Sequence, residues 1–453
     1  MTVINGLMLF LSILLFYFVI VYILHKKSVL KKYKISLYGP ALLLRTKKGI
    51  GFLKKIASKK RFWKAFGSSG IFLCFVVMIL MTILLIWNTW FIFALDLTPA
   101  QKEALPGPEV VLPLPGINPI LPLEYIVYIF VALLIAMIVH EFSHGILTFA
   151  SKLKVKSLGL LYIIVPVGAF CEPYEEQLRK TKASTRMRVY AAGPTSNFVV
   201  FFVSLLIFSF IFMSAVHPVD GVDIFYIGEN TPAEEIGLSS GVVIMDINGT
   251  KITGLSDFYY ALENTSANQT ISISYFRRET IYTKNVTLAD KYNYTENKSH
   301  AGKGYLGVGP NIYGGYLSVL KNPFNYYSEG FLLLYALPLF GYLQGYNPIA
   351  SPFTDSYTIT GPLGSIPTDI FWAITSMLYW ILWLNLAVGL FNVLPMVPLD
   401  GGFLFNDAIG SLIKRFKKNL SGEKREKIVK NISLIVSLTI LFLVIFPFFI
   451  KYF

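Results

Sequence analysis

The sequence predicts a polytopic α-helical membrane protein of about six spans, with an inserted mixed α/β soluble domain and a short membrane-associated β-hairpin. Three observations support this fold class. The 453 residues are 54% hydrophobic and only 15% charged, whereas soluble domains are roughly 25% charged. Several apolar runs reach the length of about 20 residues that a bilayer crossing requires. One long stretch between such runs is polar.

The N-terminal region, 1–96, is expected to contain two spans, at 3–24 and 70–95, joined by a basic loop. Residues 25–68 contain fourteen Lys and Arg and no Asp or Glu. A basic loop directly between two spans is typical of a cytoplasmic segment beside anionic lipid, so the net charge of +14 does not indicate a nucleic-acid partner. Residues 45–67 are expected to form a basic amphipathic helix on the membrane surface.

The first part of the membrane core is predicted over 97–218. It begins with a proline-rich linker at 97–122, which excludes a regular helix. A span follows at 124–150. The β-branched stretch 156–171, interrupted by Gly and Pro, predicts a strand pair at the membrane. Another span is expected at 188–216.

Residues 219–310 have a polar composition, strand-like pieces such as "TISISYF" and turn signals such as "INGT", and they predict the inserted domain. The apolar stretch 328–345 is short and contains a proline, so we expect it to lie at the interface or to re-enter the membrane. The second part of the membrane core is predicted over 311–410, with a span at 368–391. The C-terminal region, 411–453, is expected to contain a basic loop and a span at 430–450.

The basic loops predict the orientation. If they are cytoplasmic, six spans put both termini and the inserted domain on the outer side, and we expect a prokaryotic cell membrane. Asn-x-Ser/Thr sequences are meaningful only outside the cytoplasm, and the inserted domain has six of them, at Asn248, Asn264, Asn268, Asn285, Asn293 and Asn297.

The run "AMIVHEFSHG" at 136–145 puts ionisable side chains into a predicted span. On a helix, His140 and His144 share a face and can bind one metal ion, while Glu141 points aside and can act as a general base. The alternative is two histidines satisfied by neighbouring polar groups, which would leave three ionisable groups buried at high cost.

A catalytic zinc keeps three protein ligands and one open position. Asp400 in "PMVPLDGG" is the best candidate for the third ligand, and the glycines after it permit close backbone approach. Two alternatives stay open: Asp400 as a helix N-cap, and Glu172, which lies beside a hydrated edge. The other histidines do not belong at the depth of the motif: His25, His217 and His300.

Four segments together resemble the site-2 proteases, which are zinc intramembrane proteases. They are HEFSH, "LDGG" at 399–402, "AAGPTSN" at 191–197, and "NTPAEEIGLSSGVVIMDINGTKI" at 230–252. The last resembles the core of a PDZ domain, although Gly241-Val242 stands where Gly-Asp is usual. The resemblance covers about residues 120–410, and it identifies the inserted domain as PDZ-like.

The resemblance implies a zinc metalloendopeptidase that cuts within or near transmembrane segments of membrane proteins, after a first cut elsewhere. One Zn²⁺ per chain would be held by His140, His144 and Asp400. The metal would polarise the scissile carbonyl, and Glu141 would take a proton from water and pass it to the leaving amine.

Further residues are candidates for binding substrate. Asn197 and Asn392 are polar residues in apolar stretches, which could donate to an oxyanion or hold the substrate backbone, or else join helices. The strand pair offers an edge for an extended substrate, and by resemblance Gly168 and Phe170 lie where the family binds it. The PDZ-like domain could bind a peptide C-terminus near "GYLGVGP" at 304–310, or exclude large outer domains.

Two other classes of protein compete with the protease. A metal-binding membrane transporter would use the same three ligands, but it should show more polar spans or inverted repeats. An inactive scaffold displaying a PDZ domain would have no need for Glu141.

Overall fold

Five helices in the described part of the chain are long and apolar enough to cross a membrane. The structure is a computed structural model, which describes residues 3–32, 35–39, 41–95, 98, 102, 107, 110, 115–116, 118–163 and 165–449. The five helices match five of the predicted spans: Lys60–Ala94, Leu123–Ala150, Ala183–Ala215, Thr368–Asn392 and Gly422–Phe448. The first predicted span, 3–24, lies in a further apolar helix of 24 residues, Val3–Lys26. The chain is a polytopic helical membrane protein.

The α-helices are numbered here in chain order. They are α1 (Val3–Lys26), α2 (Val29–Lys32), α3 (Ile50–Ile56), α4 (Lys60–Ala94), α5 (Ile126–Ala150), α6 (Glu175–Arg179), α7 (Ala183–Ile207), α8 (Pro232–Glu235), α9 (Leu255–Glu263), α10 (Tyr292–Thr295), α11 (Gly315–Lys321), α12 (Tyr327–Gln344), α13 (Thr368–Asn392), α14 (Asp400–Phe416) and α15 (Gly422–Ile445). The stretch predicted to be interfacial or re-entrant is α12, which contains Pro338 and is not among the five helices above.

The strands are β1 (Ile35–Tyr38), β2 (Ala41–Thr46), β3 (Val155–Ile163), β4 (Val165–Pro173), β5 (Val216–Pro218), β6 (Val222–Ile227), β7 (Val243–Ile247), β8 (Thr250–Lys251), β9 (Thr270–Arg277), β10 (Thr280–Thr287), β11 (Ala289–Asp290), β12 (Gly304–Tyr305), β13 (Val308–Pro310) and β14 (Tyr357–Ile359). They belong to two compact units, residues 1–203 with 380–453 and residues 204–379.

The first unit contains an antiparallel sheet in the order β1-β2-β3-β4. The predicted strand pair is therefore half of a larger sheet, and the basic loop supplies the other half. The surface helix expected over 45–67 is divided between the end of β2, helix α3 and the start of α4. The reason lies in "ISLYGPALLLRT", where a Gly-Pro pair separates two apolar runs that are short enough for strands.

Small residues allow close packing around the helix that carries the histidines. A Cβ atom on Gly145 of α5 would lie 2.8 Å from Cδ1 of Leu53 in α3 and 3.0 Å from Sγ of Cys171 in β4. A Cβ atom on Gly70 of α4 would lie 2.5 Å from Oγ1 of Thr195 in α7. Such close approach through small residues is the usual way in which membrane helices associate.

The second unit holds the PDZ-like domain. Its main sheet has the order β10-β9-β7-β6-β13, so β10 and β13 form the two ends, while β8 pairs with β7. The predicted domain, 219–310, lies within this unit. Its apolar core is a single cluster of buried side chains: Val222, Ile224, Ala233, Leu238, Val242, Ile244, Ile247, Ile252, Phe258, Ile271, Ile273, Tyr275, Val286, Leu288 and Leu306.

The same unit ties the domain to the segment that precedes α13. Asp355 is only 6% exposed and accepts hydrogen bonds from Nε of Arg277 at 3.4 Å and Nε of Arg278 at 3.0 Å. A Cβ atom on Gly241 would lie 2.0 Å from the carbonyl oxygen of Pro352. Strand β14 also pairs with β5. The PDZ-like domain is therefore packed against residues 352–359.

Candidate metal centre

Helix α5 brings the three motif residues together. His140, Glu141 and His144 each offer a ligand atom, and these atoms lie within 4.8 Å of one another. The spacing of four residues puts both imidazoles on one face of the helix, with ring centroids 4.8 Å apart. Their side chains are 8% and 13% exposed, so the rings are largely removed from solvent.

Each imidazole is fixed through its Nδ1 atom. Nδ1 of His140 lies 2.7 Å from Oδ1 of Asn197, and Nδ1 of His144 lies 2.7 Å from the carbonyl oxygen of Val189. Amide and carbonyl oxygens only accept hydrogen bonds, so this geometry assigns the proton to Nδ1 in both rings. Each Nε2 atom is then left with a lone pair, which is how metal-binding histidines are usually oriented.

Asp400 faces both of these lone pairs. Its Oδ2 atom lies 2.9 Å from Nε2 of His140 and 3.2 Å from Nε2 of His144. This buried oxygen has no hydrogen-bond donor. Three acceptor atoms that converge without a proton between them repel one another unless a cation joins them. The donor set of two imidazoles and one carboxylate fits a catalytic zinc ion.

The glycines after Asp400 let its helix begin close to the preceding chain. Asp400 is the first residue of α14, and Leu399 occupies the N-cap position. A Cβ atom on Gly401 would lie 2.2 Å from the carbonyl oxygen of Val393, and one on Gly402 would lie 2.6 Å from the backbone of Met396. Only glycine fits these two contacts, which hold the carboxylate in position.

Gly193 in α7 is a site residue that sequence reasoning did not single out. A Cβ atom there would lie 2.5 Å from Nε2 of His140 and 2.6 Å from Nε2 of His144. Any side chain at this position would therefore enter the space in front of the two lone pairs. The signal was present in "AAGPTSN", in which a glycine inside a helix indicates close approach by another group.

The carboxylate of Glu141 is held by the edge of the sheet. Its Oε2 atom accepts a hydrogen bond of 2.8 Å from the backbone N–H of Cys171 in β4. Strand β4 is the last strand in the order β1-β2-β3-β4, so this N–H points away from the ladder with β3. Glu141 thus lies between the histidines and the edge of β4 that pairs with no other strand in the described part of the chain.

The predicted asparagines have different surroundings. Asn197 is fully buried, and its Nδ2 atom donates to the carbonyl oxygen of Ala136 and to Oδ1 of Asn385, both at 3.0 Å. Asn385 was not predicted, although it is a polar residue within an apolar span. Asn392 donates to the carbonyl oxygen of Val388 in its own helix at 3.0 Å. The structure therefore brings Asn197, but not Asn392, into contact with the histidines.

The predicted residues of β4 pair with β3. Phe170 is opposite Gly159 and Gly168 is opposite Leu161. The Phe170 ring covers Gly159, where a Cβ atom would lie 2.2 Å from Cζ of the ring. Glu172, the alternative third ligand, instead accepts hydrogen bonds from Ser157 at 2.7 Å and from Lys156 at 2.8 Å.

Comparisons with known proteins agree with this geometry. Residues 128–443 match the sequence model of Peptidase family M50. Uncharacterized protein MJ0971 of Methanocaldococcus jannaschii is 26% identical over 86% of this chain and 83% of that protein. Zinc metalloprotease RasP of Shouchella clausii is 26% identical over 52% of this chain and 54% of that protein. Regulator of sigma-W protease RasP of Bacillus subtilis is 25% identical over 54% of this chain and 56% of that protein.

A solved structure also resembles part of the chain. It is the PDZ domain of the SdrC-like protein from Listeria monocytogenes, with 19% identity. The match covers 21% of this chain and 90% of that domain, with a TM-score of 0.18.

Proposed function

Because this chain belongs to peptidase family M50 and is a metalloprotease, we propose that it hydrolyses peptide bonds within or near transmembrane segments of membrane proteins, after a first cut elsewhere in the substrate. The observation that carries the proposal is that Nε2 of His140, Nε2 of His144 and Oδ2 of Asp400 lie close together with no proton between them. The carboxylate of Glu141 lies beside them. Two of these ligands lie on a helix long enough to cross a membrane.

In the proposed site, the two Nε2 atoms and Asp400 would hold one Zn²⁺ per chain, which would supply a Lewis acid for the scissile carbonyl and for water. Glu141 accepts the proton of the attacking water and passes it to the leaving amine. The hydrogen bond from Cys171 keeps its carboxylate oriented for both transfers.

We propose that Asn197 orients His140 rather than donating to an oxyanion. Both hydrogens of its amide group are already donated, to Ala136 and Asn385, and its oxygen accepts from His140. Partners of this kind, outside the ligands themselves, fix the tautomer and the ring orientation. Asn392 has no comparable contact with the ligands in the described chain, and we propose no catalytic role for it.

The substrate would bind as an extended strand along the free edge of β4. Peptide groups in an antiparallel strand alternate in direction, and the N–H of Cys171 points to the free edge. The N–H and C=O of Ala169 therefore point to the same edge, whereas those of Gly168 and Phe170 point toward β3. We propose that Ala169 pairs with the substrate and that Gly168 and Phe170 support the strand from behind.

The PDZ-like domain lies outside the cytoplasm in this proposal. Strand β13, at one end of its sheet, follows "GYLG" and offers an edge for a peptide C-terminus. The domain would either recruit cleaved substrates in this way or exclude large outer domains. Labelling of single introduced cysteines tests the orientation, with residues 230–300 expected to react from outside and residues 45–65 from inside.

The central experiment compares Glu141→Gln with the unmodified protein on a transmembrane substrate in liposomes. The variant should retain one zinc per chain by elemental analysis but lose hydrolysis, because the base is not a ligand. Glu175→Gln is the matched control, since Glu175 has a side chain that is 80% exposed and lies outside the site. An active preparation without metal would contradict the proposal. Cleavage of soluble peptides alone would contradict action on transmembrane segments and leave only the assignment as a metalloprotease.

A further inference from the structure

Every asparagine between residues 248 and 297 begins an Asn-x-Ser/Thr sequence. There are six: Asn248, Asn264, Asn268, Asn285, Asn293 and Asn297. The chain has fourteen other asparagines, and only Asn419 and Asn431 begin such a sequence. The acceptor sequences for N-glycosylation are thus concentrated in one part of the inserted domain.

Composition does not account for this concentration. Thirteen of the 52 residues from 248 to 299 are Ser or Thr. At that frequency, all six asparagines would have a hydroxyl residue two positions later in roughly one of several thousand random sequences. A high content of Ser and Thr therefore does not explain why each asparagine is followed, two positions later, by a hydroxyl residue.

The structure places all six side chains on the surface. Each of the six asparagines is exposed, and none belongs to the apolar core of the domain. Asn285 lies in the middle of β10, at the end of the sheet opposite β13. Asparagine is depleted in strands, so local backbone preference does not explain its presence there.

Local geometry explains some of the asparagines and some of the hydroxyl residues two positions later, since Thr270 and Thr287 bond to each other through their hydroxyl groups at 2.9 Å. Asn248 and Asn268 adopt positive φ angles of 52° and 63°, which asparagine tolerates well. Oδ1 of Asn297 accepts hydrogen bonds from the backbone N–H of Ser299 at 3.0 Å and from its hydroxyl group at 2.8 Å. These features favour Asn at three positions. They do not require a hydroxyl residue two positions later at all six.

We infer that this part of the domain is N-glycosylated, an inference that rests on its proposed position outside the cytoplasm. The sugar donor would be an oligosaccharide linked through phosphate to a polyprenol lipid. A bond forms between Nδ2 of asparagine and the anomeric carbon, and the bond from that carbon to the phosphate oxygen breaks. The amide loses one proton, and the lipid phosphate is the leaving group.

Within this unit the acceptor sequences are confined to one segment of the chain. Within residues 204–379, none of the asparagines outside 248–297 begins an acceptor sequence. Strand β13, which offers the peptide edge, therefore contains no acceptor sequence. Sugars on β10 would also prevent that end of the sheet from pairing with another strand.

The test is mass spectrometry of peptides from the protein purified from the membranes of its source organism. We expect sugar masses on asparagines between 248 and 297. The peptide with Asn419, in the loop predicted to be cytoplasmic, is the internal control and should be unmodified. Unmodified asparagines at all six positions would overturn the inference. Modification of Asn419 instead would overturn the proposed orientation, while the protease assignment would remain open to its own test with Glu141→Gln.

A pair of variants at one sequence excludes effects of misfolding. Thr250→Ala removes the acceptor sequence of Asn248 and keeps the asparagine, whereas Thr250→Ser keeps the acceptor. Thr250 is exposed, so both variants should fold. Where Asn248 is occupied, the sugar mass on its peptide should disappear in the first variant and persist in the second. Persistence in both would show that the modification is not N-glycosylation at Asn248.

Discussion

The ion pair between Arg186 and Asp407 should control the position of Asp400, the proposed third metal ligand. Nε of Arg186 lies 3.1 Å from Oδ1 and 2.9 Å from Oδ2 of Asp407, and the guanidinium also bonds to Oδ1 through Nη2. Asp407 lies two turns after Asp400 on α14, and Arg186 lies two turns before Gly193 on α7. The pair therefore joins the helix of the carboxylate ligand to the helix that packs against both imidazoles.

The magnitude follows from the burial of the pair. Removing one partner of a buried ion pair costs about 3–5 kcal/mol. The side chains of Arg186 and Asp407 are 21% and 14% exposed, and Arg186 would keep its hydrogen bond of 2.7 Å to the carbonyl oxygen of Thr181. Asp407→Asn should therefore lower the free energy of unfolding by about 2–3 kcal/mol. If the loss also moves α14, the dissociation constant for zinc should rise about 10- to 100-fold, as for other supporting residues of metal sites.

The assay is competition for zinc with a chromophoric chelator, together with thermal unfolding of the metal-free protein. Asp407→Asn should weaken zinc binding and lower the unfolding temperature, and the exchanged pair Arg186→Asp with Asp407→Arg should recover part of both. Glu176→Gln is the control, because Glu176 pairs with Lys180 on the exposed surface. A lower unfolding temperature with an unchanged zinc affinity would refute the positioning role and leave a structural ion pair.

Three further predictions follow from single residues. Gly193→Ala should abolish zinc binding because the methyl group would lie 2.5 Å from Nε2 of His140, whereas Gly168→Ala, with its nearest contact at 3.4 Å, should bind zinc normally by elemental analysis. Asn197→Ala should raise the zinc dissociation constant about 10- to 100-fold in the chelator assay, and an unchanged value would remove its orienting role. Burial raises the pKa of Asp223 from 3.8 to about 6, against the opposing hydrogen bond from Asn311. Its stabilising contribution is thus full below pH 3.8 and is lost as the pH rises through 6, by about 3 kcal/mol. Asp223→Asn should flatten the thermal stability between pH 4 and 7, and a pH profile like that of the unmodified protein would contradict this.

Local patterns in the sequence predict part of the fold and of the site. The spacing of His140 and His144 fixes their common face because helical geometry depends only on residues a turn apart. Apolar runs predict the spans because a span is recognised from the length and composition of one continuous segment. The structure also brings Asp400 to the histidines, as expected from its apolar surroundings and from the family resemblance.

The remaining features depend on contacts between distant segments. Nothing local in "ISLYGPALLLRT" indicates that its strands extend the sheet at β3, since strand pairing is chosen by the partner. The contact of Asn385 with Asn197 and the approach of Gly193 to the imidazoles likewise join different helices. Arg277 ends β9 and Arg278 lies in the turn after it, and the local sequence does not indicate that both bond to Asp355.

The hydrogen bond between Glu141 and the backbone of Cys171 has a consequence for substrate choice. The base is fixed to a main-chain atom, and a substrate on the same strand would be held by main-chain atoms as well. The scissile bond would then be defined by its distance along the strand and not by the identity of nearby side chains. Unrelated transmembrane segments should consequently be cut at one depth in the bilayer, and helical stability, more than sequence, should decide which of them are cleaved.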